Sequence, residues 1–163
     1  MKYHEIINEI KNKNFNNIYF LYGDEPYYID LISETISNTI LHEDEKTFNQ
    51  TTLYGKETNI ETIISQAKEF PFGAKYRVII LKEAQYIKSI EKLDSYLQSP
   101  QLSTILVICY KNKKIDKRKN LFKILKKKSI LFESKKIYDN QIPDWIKTYL
   151  NNHNIKIEMK SCY

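Results

Sequence analysis

The sequence predicts an α/β fold, a mostly parallel sheet covered by helices on both faces. Two short runs, Arg77-Val-Ile-Ile-Leu81 and Ser103-Thr-Ile-Leu-Val-Ile-Cys109, are apolar at nearly every position, as in strands buried on both faces. Segments with isoleucine or leucine at helical spacing alternate with such runs along the chain, and that alternation produces parallel sheets with crossover helices. Only three glycines and four prolines occur in 163 residues, which argues against a loop-rich chain.

Ile6, Ile7 and Ile10 mark a first helix, ended by Lys11-Asn-Lys-Asn14. Asn17 to Tyr22 reads as a strand, followed at once by Gly23-Asp24-Glu25-Pro26, a tight turn and a helix start. That helix carries Ile29, Ile32, Ile36 and Ile40 on one face, and Glu43-Asp44-Glu45 falls in the turn after it. Thr47 to Leu53 is Thr-rich and weakly alternating, so a strand is expected there, stopped by Tyr54-Gly55. Asn59 caps a helix bearing Ile60, Ile63, Ile64 and Ala67. Next comes Phe70-Pro71-Phe72-Gly73, in which the proline ends the helix and holds Phe70 extended, just ahead of the Arg77 strand. Ile87 to Leu97 reads as an amphipathic helix, Lys117 to Lys127 as a helix with a basic outer face, and Ser129 to Glu133 as a fifth strand. Asp139 to Leu150 is expected to form a further helix, which opens a second domain. The predicted division is 1–136 and 137–163. The last segment, 155–163, begins an element and stops, as a truncated chain would.

Composition is that of a soluble globular protein, and a net charge of +6 permits contact with polyanions without demanding it. No stretch approaches the ~20 apolar residues of a membrane span, and no signal-peptide core opens the chain. Cys109 lies inside an apolar strand, where a reduced thiol fits a cytoplasmic protein.

The turn after the first strand is where a phosphate-binding loop would sit. Such a loop needs Gly-x-x-x-x-Gly-Lys-Ser/Thr, so that backbone N–H groups and a lysine hold the phosphates and a hydroxyl holds magnesium. Counted from Gly23, the second glycine, the lysine and the hydroxyl are replaced by Tyr28, Ile29 and Asp30. After the Arg77 strand, Lys82-Glu83 stands where a nucleotide hydrolase carries its metal-binding acid. Both halves of an ATP site are therefore missing, and no cofactor is expected. His4, His42 and His153 are scattered among polar residues, and no nucleophile or metal-ligand motif is present.

Two surfaces remain. The basic run from Lys111 to Lys128 includes Lys113, Lys114, Lys117, Arg118 and Lys119. It reads either as a solvated helix face or as a sequence-independent DNA-phosphate contact. Phe70, Pro71 and Phe72 either pack beneath the sheet or project as the aromatic anchors of a protein interface. Flanking a proline, the two rings do not easily both point inward.

Tyr19-Phe-Leu-Tyr-Gly-Asp-Glu-Pro-Tyr-Tyr-Ile-Asp30, followed in order by Pro71-Phe-Gly-Ala-Lys-Tyr-Arg-Val-Ile-Ile-Leu-Lys-Glu-Ala84, closely resembles the delta subunit family of bacterial DNA polymerase III. Leu106-Val-Ile108, Asp116 to Leu121 and Gln141-Ile-Pro-Asp-Trp-Ile146 extend the resemblance over nearly the whole chain. The resemblance implies an ATPase-like (AAA+, P-loop-like) first domain that does not hydrolyse ATP, followed by the start of a helical lid domain. It implies a non-catalytic component of the DNA-directed DNA polymerase III holoenzyme. In that family a hydrophobic tip enters a pocket on the sliding clamp (the beta subunit) and holds one clamp interface open. The ATPase and delta-prime subunits of the loader then help pass the ring onto primed DNA. The family's apolar-Phe tip falls here on Pro71 and Phe72, with Phe70 beside them, and the proline departs from the usual apolar residue. The family also continues into a helical collar that this length does not include. Two other readings are a divergent P-loop-type nucleotide-binding enzyme and a basic DNA-binding domain.

Overall fold

The computed structural model describes residues 1–113, 115–136, 142, 143, 146, 149 and 150. Helix α1 (Tyr3–Lys11) leads into strand β1 (Ile18–Gly23), and helix α2 (Pro26–Thr39) follows after a two-residue turn. Helix α3 (Glu43–Asn49) runs directly into β2 (Gln50–Tyr54), and α4 (Ile60–Lys68) precedes β3 (Arg77–Lys82). Two 3₁₀ turns (Ala84–Tyr86 and Ile90–Leu93) and a short α5 (Asp94–Gln98) lead to β4 (Thr104–Lys111). Helix α6 (Asn120–Lys128) and β5 (Ile130–Ser134) complete the sheet.

The five strands found among the described residues are all parallel, in the order β2-β3-β4-β1-β5. The two runs read as doubly buried strands, β3 and β4, sit side by side inside the sheet. Alternate side chains divide its interior into two cores. Phe20, Ile79, Leu81, Leu106 and Ile108 face α4, α6 and the 84–98 segment. Tyr19, Leu21, Val78, Ile80, Val107 and Cys109 face α1 and α2. Each fully buried aliphatic side chain contributes about 1.5–3 kcal/mol, and that burial fixes the register. The fold class expected from the sequence is the one found. Cys109 is buried and takes part in no disulfide. Among the described residues no helix is long and apolar enough to cross a membrane.

Four boundaries differ from expectation. Glu43-Asp44-Glu45 opens helix α3 rather than lying in a turn. Its three carboxylates sit at the positive end of the helix dipole, and Glu45 Oε2 accepts from the His42 backbone N–H at 2.9 Å. The helix extends through Asn49, so β2 begins at Gln50 and Thr47 and Phe48 are helical. Segment 87–97 is not one helix, since Ser89 takes a left-handed φ of 56°. Ile87, Ile90 and Leu93 recur every third residue, the period of a 3₁₀ turn, and all three face the core. Helix α6 starts at Asn120 rather than Lys117. The Asp116 carboxylate accepts from the Arg118 N–H at 3.0 Å and holds 116–119 in a turn. The helix expected over 139–150 lies largely outside the described residues, although Ile142, Pro143, Ile146, Tyr149 and Leu150 are helical.

Candidate functional site

Parallel strands place every strand start at one end of the sheet and every strand end at the other. The Phe70-Pro71-Phe72 segment enters β3 and lies at the starting end. The Gly23 turn and the basic segment after β4 lie at the opposite end. A six-residue strand spans roughly 20 Å, so the two regions are well apart.

Helix α4 stops at Lys68, where Glu69 turns extended (φ −69°, ψ 143°) two residues ahead of the proline. Phe70 is 78% exposed and Phe72 is 74% exposed, while Pro71 is half-buried. Neither ring packs beneath the sheet. Phe48, at the end of α3, is 64% exposed and places its ring 5.7 Å from that of Phe72. The tip therefore has a third aromatic residue from a separate element.

Two polar side chains hold these segments together. Asn49 is 1% exposed. Its Oδ1 accepts from the Phe72 N–H at 2.6 Å, and its Nδ2 donates to the carbonyls of Phe72 at 2.9 Å and Glu45 at 3.1 Å. Arg77 pairs with Glu69 at 2.8 Å and donates from Nη1 to the Phe48 carbonyl at 3.3 Å. The first residue of β3 thus ties the end of α4 to the end of α3. Gly73 follows the tip with φ 63° and open space around it. Phe48 and Asn49 are not legible as site residues in the sequence, where Thr47 to Leu53 reads as a strand. The acidic run ahead of them was the available signal for the helix that carries them.

At the other end, Gly23 closes β1 with φ 135°, and a Cβ there would lie 1.9 Å from the Ser134 carbonyl oxygen. The N–H groups of Asp24 and Glu25 both donate to that same oxygen, at 3.0 and 3.4 Å. Glu25 then caps α2 with its own carboxylate, accepting from the Tyr27 N–H at 3.1 Å, and Pro26 takes the first helical position. Asp30 pairs with Lys111. Glu83, just past β3, adopts a left-handed φ of 55°.

Of the basic candidates described at this end, Lys117, Arg118 and Lys119 each have an acidic partner. Lys117 pairs with Glu133 at 3.0 Å, Arg118 grips Asp116 through two hydrogen bonds, and Lys119 pairs with Glu91. The Arg118 guanidinium pulls the Asp116 carboxyl down to about 2, and Glu133 and Glu91 raise the ammonium groups of Lys117 and Lys119. Lys113 is exposed and lines a cavity of about 300 Å³ with Tyr22, Asp24 and Lys135. Lys114 lies outside the described residues. Among the described residues no group of three or more His, Cys, Asp or Glu is arranged to hold a metal ion.

The family model for the DNA polymerase III delta subunit matches residues 19–135. This chain belongs to that family. The DNA polymerase III subunit delta of Bacillus subtilis (strain 168) is 28% identical, over 86% of this chain and 44% of its own length. The solved Bacillus subtilis DNA clamp loader delta protein, YqeN, superimposes with a TM-score of 0.83 at 25% identity. That match covers 99% of this chain and 50% of the other. This delta-family chain thus spans about half the length of the relatives it matches. A DNA polymerase III gamma subunit-related protein from Thermotoga maritima has a TM-score of 0.51 at 12% identity, over 91% of this chain and 50% of its own. A RuvB variant from that organism gives 0.50 at 12% identity, over 99% and 52%. Those two share the AAA+-type fold with the delta-family chain.

Proposed function

We propose that this chain is the clamp-engaging part of a clamp-loader delta subunit. Its aromatic tip enters an apolar pocket on the sliding clamp and holds one clamp interface open. The ATPase and delta-prime subunits of the loader act with it, so that the ring is delivered onto primed DNA in the cytoplasm. The observation that carries this reading is the exposure of Phe70 and Phe72 on a braced segment at the start of β3. Burying one phenylalanine contributes ~1.5–3 kcal/mol, and it favours the open ring only insofar as the open ring binds the tip better.

The chain itself performs no catalysis and needs no cofactor in this reading. A phosphate loop works by aiming free backbone N–H groups at the anion. Here Asp24 and Glu25 give theirs to Ser134, and a carboxylate caps the helix behind them. That geometry weighs against the divergent nucleotide-binding enzyme. The ion pairs of Lys117, Arg118 and Lys119 weigh against a basic DNA-binding domain, since a paired cation releases fewer counterions from DNA. In this reading residues 1–136 make up the AAA+-like unit, and the second domain expected over 137–163 lies largely outside the described residues.

The test is binding of this chain to the sliding clamp of the same organism. Micromolar or tighter affinity is expected, weakened in Phe72→Ala by more than about tenfold, or roughly 1.4 kcal/mol. A folded wild-type chain with no affinity for the clamp would overturn the proposal.

A further inference from the structure

We propose that Asn49 is a positioning residue for the tip, holding Phe72 by its backbone so that Phe48 and Phe72 meet the clamp as one preformed anchor. This inference rests on the clamp-binding reading above.

Residues 69–76 belong to no helix or strand, and among the described residues no backbone–backbone hydrogen bond holds Phe72. Asn49 supplies what a neighbouring strand would otherwise supply. Its carboxamide accepts from the Phe72 N–H and donates to the Phe72 carbonyl, fixing both polar groups of one peptide residue. With those two groups fixed, the Cα–Cβ direction of Phe72 is fixed as well. The remaining Nδ2 hydrogen goes to the Glu45 carbonyl inside α3, which orients the carboxamide from behind. A carboxylate would lack the donor and a hydroxyl could not reach both groups, so the pairing calls for asparagine. Asn49 follows Phe48 directly, so the side chain that aims Phe72 grows from the same helical turn that presents Phe48. The rings come to 5.7 Å apart in a tilted arrangement. An exposed ring on an unbraced loop would lose its freedom on binding, and the prior pairing with Asn49 removes part of that loss.

The experiment measures clamp affinity of the full chain for wild type, Phe72→Ala, Asn49→Ala and the double variant, with amide exchange of Phe72 followed in the free protein. Asn49→Ala is expected to weaken binding by about fivefold or more. The double variant is expected to bind no more weakly than Phe72→Ala alone, because Asn49 acts through Phe72. In the free wild type, the Phe72 amide is expected to exchange at least about tenfold more slowly than an unstructured amide. That last measurement needs no variant to fold. Additive losses in the double variant, or an unprotected Phe72 amide, would overturn the proposal. A weakened Phe72→Ala beside an undiminished Asn49→Ala would overturn the role of Asn49 alone. An undiminished Phe72→Ala would remove the clamp reading and this inference together.

Discussion

Gly23 and Gly73 both have positive φ, but they carry different burdens. At Gly73 (φ 63°) a Cβ meets nothing within 4 Å, so only the left-handed backbone opposes a side chain. At Gly23 (φ 135°) a Cβ would lie 1.9 Å from the Ser134 carbonyl oxygen, the atom that also accepts from Asp24 and Glu25. Relief would have to come from moving β5 away from β1, which breaks the hydrogen bonds that close this edge of the sheet. Gly73→Ala is therefore expected to cost about 1–2 kcal/mol. Gly23→Ala is expected to cost about 4 kcal/mol or more. Urea titration of the two variants checks the ranking, and equal losses would contradict it. The glycine of the Gly-Asp-Glu-Pro sequence thus has a structural duty here, the close passage of β5.

Helix α4 delivers the chain to the tip, and its start is set by Asn59, whose side-chain oxygen accepts from the Thr62 N–H at 2.8 Å. Asn59→Ala is expected to destabilise the fold by about 1 kcal/mol while leaving the clamp affinity proposed above within a factor of about two. Thermal unfolding and a binding titration on the same sample test this, and lost affinity without lost stability would count against it. This cap was legible in the sequence, as were Pro26 at the first position of α2 and the two apolar strands, because each depends on neighbours a few residues away. The misread elements depend on longer reach. Thr47 and Phe48 carry strand-forming side chains, and the helix wins because His42 and Glu45 cap it and Asn49 bonds back to Glu45. Ile87, Ile90 and Leu93 fit a helix loosely, but a period of three follows the core surface beneath them once Ser89 turns left-handed. The Phe70–Phe72 tip could be read from a proline and two rings. The Asn49 contact could not, because it joins residues 23 positions apart.

The end of the sheet that carries the exposed aromatic residues keeps its shape only if the two cores stay packed, and alkaline pH attacks both. Cys109 lies in the core against α1 and α2, where burial pushes its thiol up to about 11 from an ordinary value of 9.0. Tyr96 lies in the opposite core, its hydroxyl donating to the Ala67 carbonyl at 3.2 Å, and burial raises it to about 12. Each group is neutral in the folded protein at neutral pH. Above pH 9 the unfolded chain loses the Cys109 proton while the folded chain keeps it, so unfolding becomes progressively favoured. The stability held by the buried thiol is complete below about pH 9 and is lost as pH rises to about 11, a total of roughly 2–3 kcal/mol. Tyr96 adds a loss in the same direction that begins one unit higher. Unfolding free energies measured in urea should accordingly hold steady from pH 7 to 8.5 and then fall. Cys109→Ala should start lower, because it leaves a small cavity, and then fall less steeply between pH 9 and 11. Parallel slopes for the two proteins would show that the thiol ionises as readily in the folded core as in water, and that the sheet is looser around β4 than its packing indicates.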